Sequence, residues 1–237
     1  MSDGISDSAA TESTRVAIAD QVYDLLSVQF ISGARTPGER LKLHLLAREL
    51  NVSPTPIREA LARLENTGFV ERHSQRGYVV SRLLGREELA QLMDARLLLE
   101  PFMVRAATER ATDEFLSRLA STISIMRNSG VLADGETLRE CWLADETFHG
   151  LIAEQSGNPF VAKAYRSLGG QLQRFRIIGK SGVSHARSAC VEHEAIYAAM
   201  CEGDLDGTAE AMRGHLINAK TRALEDIARA DLQTGYS

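Results

Sequence analysis

Asp145 and His149 stand four residues apart in a run, 136–156, whose apolar positions Leu138, Cys141, Trp142, Phe148 and Ile152 recur at helical spacing. That spacing brings a carboxylate and an imidazole to one point on the apolar face. His193 falls on a similar stripe within 185–202, among Ala186, Ala189, Cys190, Ile196, Tyr197 and Met200. His215 does so within 205–230, among Leu205, Ala209, Met212, Leu216 and Ala219. Polar groups turned inward cost roughly 1–3 kcal/mol each when unsatisfied, and more when charged. A single divalent ion held by Asp145, His149, His193 and His215 satisfies all four; the plainer alternative is a set of hydrogen-bonded core histidines. One complete ligand set implies about one metal per chain. Zinc is the expected ion, and nickel or manganese can use the same donors according to supply.

Arg96 lies on the apolar face traced by Leu89, Leu92, Met93, Leu99 and Met103. A guanidinium there requires an anion, and its planar fork suits a carboxylate. That carboxylate is either Glu100, one turn on, or a bound organic acid. His185, Arg139, Arg174 and Arg176 are further cationic candidates for such an acid, as is the amide of Asn218, one turn beyond His215.

The elements that must position these groups are helices. From Arg86 onward, runs at about 86–110, 113–128, 136–156, 159–180, 185–202 and 205–230 are separated by Gly, Asp or Asn-Pro breaks, with no strand pattern. An all-α domain over 86–231 follows. Residues 1–13 are polar and read as a disordered tail. At 237 residues and 44% hydrophobic content, the chain suits one large or two modest packed domains. No apolar run is long enough for a bilayer, and the start lacks a signal-like pattern, so no membrane partner and a cytoplasmic location are expected. Cys141, Cys190 and Cys201 fit no zinc or redox spacing and read as reduced core residues.

A second kind of chemistry is legible between residues 14 and 83. Val16, Ala19, Val22, Tyr23, Leu26 and Phe30 trace one helix, and Leu43–Leu50 a second. After the short Asn51-Val52 turn, Ser53 and Pro54 begin a third, suited to the cap and first helical positions. Its apolar stripe is Ile57, Ala60, Leu61 and Leu64, and its other face offers Thr55, Arg58 and Arg63. Two β-prone runs, Phe69–Arg72 and Tyr78–Ser81, flank a polar loop and form a hairpin. Three helices followed by a hairpin make a winged helix-turn-helix, in which the third helix reads a DNA groove and the wing meets the backbone. Arg72, His73, Gln75, Arg76 and Gly77 would lie on or beside that wing. Residues 14–83 carry ten Lys/Arg against seven Asp/Glu, whereas the whole chain has a net charge of −5. Local excess, not the total, sets phosphate attraction.

The motifs Arg35-Thr36-Pro37-Gly38-Glu39-Arg40-Leu41, Val52-Ser53-Pro54-Thr55-Pro56-Ile57-Arg58-Glu59-Ala60-Leu61 and Gly77-Tyr78-Val79-Val80 resemble the DNA-binding domain of GntR-family regulators. The segments Asp145–His149, Ser156-Gly157-Asn158-Pro159, Glu192–Ile196 and Arg213-Gly214-His215-Leu216 resemble the FCD ligand domain of the FadR subfamily. The resemblance covers nearly the whole chain after the tail. It implies base or phosphate contacts at Thr55 and Arg58. This chain departs from the common pattern at Pro54, where an Arg is usual, and around His44, where an acidic or basic residue is frequent. It implies a metal at Asp145, His149, His193 and His215, and an effector carboxylate at Arg96.

The fold expected is therefore mainly α: a winged helix-turn-helix with a small β-hairpin wing, then a helical-bundle effector domain. The function expected is a transcription regulator, a repressor, binding a palindromic operator as a homodimer and responding to a small carboxylate at the metal. The competing class is a metal-dependent hydrolase, against which Glu146 points off the stripe and leaves no general base facing the metal. A regulator that senses the ion itself is a third reading.

Overall fold

In the computed structural model, which describes residues 4–31, 34–66, 68–74, 77–82, 84–129, 135–176 and 182–234, the chain divides into two compact units, residues 1–82 and 83–237. The first contains helices α1 (Gly4–Ile31), α2 (Leu43–Glu49) and α3 (Pro54–Asn66) and strands β1 (Arg40–Leu41), β2 (Val70–His73) and β3 (Gly77–Val80). Helix α1 begins at Gly4, so residues 4–13 continue it instead of forming the expected tail. Polar composition removes a reason to bury a segment, but it does not stop a formed helix from propagating through residues such as Ala9, Ala10 and Glu12.

The turn between α2 and α3 closes by backbone hydrogen bonding. Asn51 adopts φ +52°, the left-handed conformation that Asn tolerates, and Val52 N–H donates to Ala47 O at 3.1 Å. Helix α3 then starts at Pro54 and buries Ile57, Ala60, Leu61 and Leu64 completely. These side chains join Ala19, Val22, Leu26 and Phe30 of α1 in the core, and Phe30 stacks on Phe69 at 5.6 Å. The sheet has three antiparallel strands in the order β1-β3-β2, with Leu41 opposite Tyr78 and Arg72 opposite Tyr78 on the other side. The hairpin reading lacked β1, because two residues are too few to show alternation. Arg35, part of the quoted motif, bonds Gln29 at 2.9 Å, Glu39 at 2.8 Å and Glu49 at 2.6 Å, and so ties α1, the turn and α2 together.

The regular elements among the described residues of the second unit are all helices: α4 (Arg86–Glu109), α5 (Asp113–Ser129), α6 (Gly135–Gln155), α7 (Pro159–Arg176), α8 (Gly182–Glu202) and α9 (Leu205–Thr234). Its breaks have local causes. Gly157, at φ +73°, ends α6; Asn158 then caps α7 by accepting from Phe160 N–H at 3.1 Å and Val161 N–H at 3.2 Å, and Pro159 takes the first helical position. Gly203 and Asp204 repeat the arrangement between α8 and α9, with Gly207 N–H on Asp204 Oδ1 at 2.9 Å. Helix α4 packs against α6, α7 and α9, and α8 against α5, α6 and α9, so four helices converge on one interior. Of the three cysteines, Cys141 and Cys190 are buried, but Cys201, in the last turn of α8, is exposed. Among the described residues no helix is long and apolar enough to cross a membrane.

Candidate functional site

Helix α6 contributes Asp145 and His149, α8 contributes His193 and α9 contributes His215. One ligand atom from each lies within 4.8 Å of all the others. The three imidazoles are almost fully buried, at 1%, 0% and 4% exposure, and Asp145 is half-buried. His193 Nε2 is 3.4 Å from His215 Nε2 and 3.5 Å from Asp145 Oδ1. Burial pushes His193 well below the ordinary imidazole range and lowers His215 as well, so both are neutral with lone pairs to offer.

Each ring is oriented by a different neighbour. His149 Nδ1 lies 2.6 Å from Glu100 Oε2, an ion-pair distance without hydrogen-bond geometry, and neither nitrogen of the ring has a hydrogen-bond partner among the described residues. His215 Nδ1 donates to Glu192 Oε2 at 2.8 Å. His193 stacks on Phe148 with ring centroids 4.3 Å apart and planes 6° from parallel, and its Nδ1 has no hydrogen-bond partner among the described residues. Three imidazoles and one carboxylate, with the buried His149 nitrogens left without hydrogen-bond partners among the described residues, are a donor set that fits a divalent transition ion.

Arg96 is buried beside this cluster and donates through Nε to Glu100, the partner one turn on that the sequence offered as one alternative. Its Nη2 has no hydrogen-bond partner among the described residues, so one edge of the fork is unspent. Burial alone would raise the Glu100 carboxyl, but Arg96 and His149 hold it down at about 2. Asn218 is exposed and donates to Glu192 Oε1 at 3.0 Å, so its amide serves the support of His215. His185 Nδ1 lies 3.2 Å from Asp226 Oδ2. Arg76, Gln75 and the side chains of Arg139, Arg174 and Arg176 lie outside the described residues.

Glu192 and Arg222 were not among the expected site residues, and Glu100 was expected only as a partner of Arg96, not beside His149. Glu192 precedes His193 and carries no signal of its own in the sequence. Arg222 carried a usable signal, since it lies seven residues after His215 and shares its face of α9.

In the first unit, Thr55 and Arg58 are exposed at the start of α3, His44 is exposed on α2, and Arg72 and Gly77 are exposed on the wing. Gly77 holds φ +72°, which a side chain would resist at the entry to β3. Arg63 is instead engaged within the unit: it bonds Asp20 of α1 and lies over the Tyr23 ring at 4.5 Å. It sits at the C-terminal end of α3, where α1 packs, which is why its expected place in the reading set differs.

Comparison with known proteins supplies the remaining observations. Residues 18–80 match the family of bacterial regulatory proteins described as gntR, and residues 91–218 match the FCD domain. The Nta operon transcriptional regulator of Aminobacter aminovorans is 36% identical over 60% of this chain, which spans 65% of that protein's length. The HTH-type transcriptional repressor NanR of Cronobacter sakazakii is 31% identical over 79% of this chain and 76% of its own. Among solved structures, E. coli McbR/YncC shares the fold with a TM-score of 0.68 at 22% identity, over 88% of this chain and 97% of that one.

Proposed function

Because the chain belongs to the GntR family of transcriptional regulators and carries an FCD domain, we propose that it is a repressor whose hold on its operator is set by a small organic acid bound beside a metal. The observation that carries this reading is the convergence of Asp145, His149, His193 and His215 within 4.8 Å, next to an arginine with an unspent fork edge. The four residues hold the ion, zinc in the first instance. A bound divalent ion supplies coordination positions for a carboxylate and leaves net positive charge there, since only Asp145 of the four ligands is ionised. Arg96 Nη2 would donate a charge-assisted hydrogen bond to the acid's carboxylate. Thr55 and Arg58 read the major groove, while His44, Arg72, Arg76 and Gly77 approach the backbone.

The operator is palindromic and the protein a homodimer, because two-fold proteins match two-fold half-sites. An acid weakens operator binding only by favouring one arrangement of the DNA-binding units over another, and the coupling is reciprocal. The protein acts where its DNA is, in the cytoplasm.

The test begins with elemental analysis, which should find about one metal per chain. DNA selected by the protein from a random pool is then titrated by fluorescence anisotropy, with and without chelator and with a panel of small carboxylates. A carboxylate should change DNA affinity only for metal-loaded protein. A response to chelator alone would make the ion itself the signal. Protein that stays metal-free after reconstitution would reduce the quartet to a polar core network.

A further inference from the structure

Glu192 adjoins His193 on α8, yet its carboxylate is directed to α9. There both oxygens are fully used: Oε2 accepts from His215 Nδ1–H at 2.8 Å and from Arg222 Nη2 at 2.9 Å, and Oε1 accepts from Arg222 Nη1 at 2.7 Å and Asn218 Nδ2 at 3.0 Å. The bidentate pair with Arg222 is sheltered, with side-chain exposures of 17% and 19%. A carboxylate only accepts hydrogen bonds, so the single proton of neutral His215 must sit on Nδ1. The lone pair is then on Nε2, the atom that faces His193.

We infer that Glu192, clamped by Arg222 and Asn218, is a positioning residue of the metal centre: it locks His215 in the tautomer and ring orientation that present Nε2 to the ion. The inference rests on the metal reading above. Outer partners of this kind raise ligand basicity and fix the tautomer, and their loss typically costs 10–100-fold in metal affinity. Glu100 lies beside His149 Nδ1 at 2.6 Å, but it is fully buried with Arg96, so removing it would strand a charge in the interior. Glu192 is the partner that can be removed at lower cost, because Arg222 keeps partial access to solvent, at 19% side-chain exposure, whereas Arg96 has 4%.

The experiment compares wild type with Glu192→Leu and Glu192→Gln, with zinc as the probe. Long-range proton–nitrogen correlation spectra of metal-free, nitrogen-15-labelled protein should show His215 as the Nδ1–H tautomer in wild type. In Glu192→Leu they should show a mixture with the Nε2–H form. Competition titration should find zinc bound about 10–100-fold more weakly by Glu192→Leu, with partial recovery in Glu192→Gln, whose amide oxygen still accepts. A purely structural role would lower the melting temperature and leave the tautomer alone. Retention of the Nδ1–H tautomer by Glu192→Leu, or zinc affinity equal to that of a zinc-binding wild type, would overturn the inference. Wild type that takes up no zinc would overturn the metal reading itself, and the tautomer spectra would then mark Glu192 and His215 as a core network.

Discussion

In the winged-helix unit, α3 buries only apolar side chains, Ile57, Ala60, Leu61 and Leu64, and keeps Thr55 and Arg58 outside. In the helical unit, α4, α6, α8 and α9 each bury an ionisable group: Arg96 and Glu100, His149, His193 and His215. The first unit thus separates the residues that fold it from those that do its chemistry. The second folds around its chemistry, since every buried charge there is held by another. Residues of the first kind can be changed for function without cost to the fold. Residues of the second kind cannot, and mutants should reveal the difference.

The largest effect expected is from Arg96→Ala. Removing one partner of a fully buried ion pair leaves Glu100 uncompensated, and about 3–5 kcal/mol of stability should be lost from the helical unit. Calorimetry should register this as a lower transition for residues 83–237, and an unchanged transition would mean that Glu100 takes up a proton at little cost. Leu61→Ala should come next. It empties a fully buried site in the DNA-binding unit and should cost about 2–5 kcal/mol there, with metal content unaltered. Loss of metal alongside would break the contrast between the units.

Arg96→Lys keeps a cation beside Glu100 but lacks the second edge of the fork. Small carboxylates should bind metal-loaded protein less tightly by about 1.5–3 kcal/mol, as measured by isothermal calorimetry. Equal affinities would assign Arg96 to Glu100 alone. Arg58→Ala should leave melting within about 0.5 kcal/mol of wild type, as exposed substitutions do, yet weaken operator binding by about 1–3 kcal/mol in anisotropy titrations. A drop in stability of similar size would show that its role is structural.

The gentlest probe is pH. Burial lowers His193 and His215 below the ordinary value of 6.5, so the unfolded state binds more protons than the folded one as pH falls past that value. In metal-free protein the stability these two rings contribute is complete above about 6.5 and should be lost progressively below it. Glu100 and Glu192, held at about 2 against an ordinary 4.5, should add a second loss below about 4.5. Melting followed against pH in the presence of chelator checks both steps. A flat profile for the helical unit would remove the contrast.

What could be read from the sequence alone was whatever one helix can express. Periodicity put Asp145, His149, His193, His215 and Arg96 on apolar faces, and Gly157, Asn158 and Pro159 marked a helix end and start by their own backbone preferences. The stripe Ile57–Leu64 and the Asn51-Val52 turn marked a reading helix for the same reason. Other features depended on which residue of a second element lies opposite. The two-residue strand β1 exists only because Arg40 and Leu41 find Val79 and Tyr78 across from them. Arg63, on the polar side of its helix, turned to Asp20 and Tyr23 once α1 packed there. Glu192 gave no signal of its own in the sequence, and its role came into view only where α9 brings His215, Asn218 and Arg222 to it. A side chain's face is set by the dihedrals of its own helix, which are local. Its partner is set by the crossing of two helices far apart in the chain, so the contact of His215 Nδ1 with Glu192 exists only in the packed bundle.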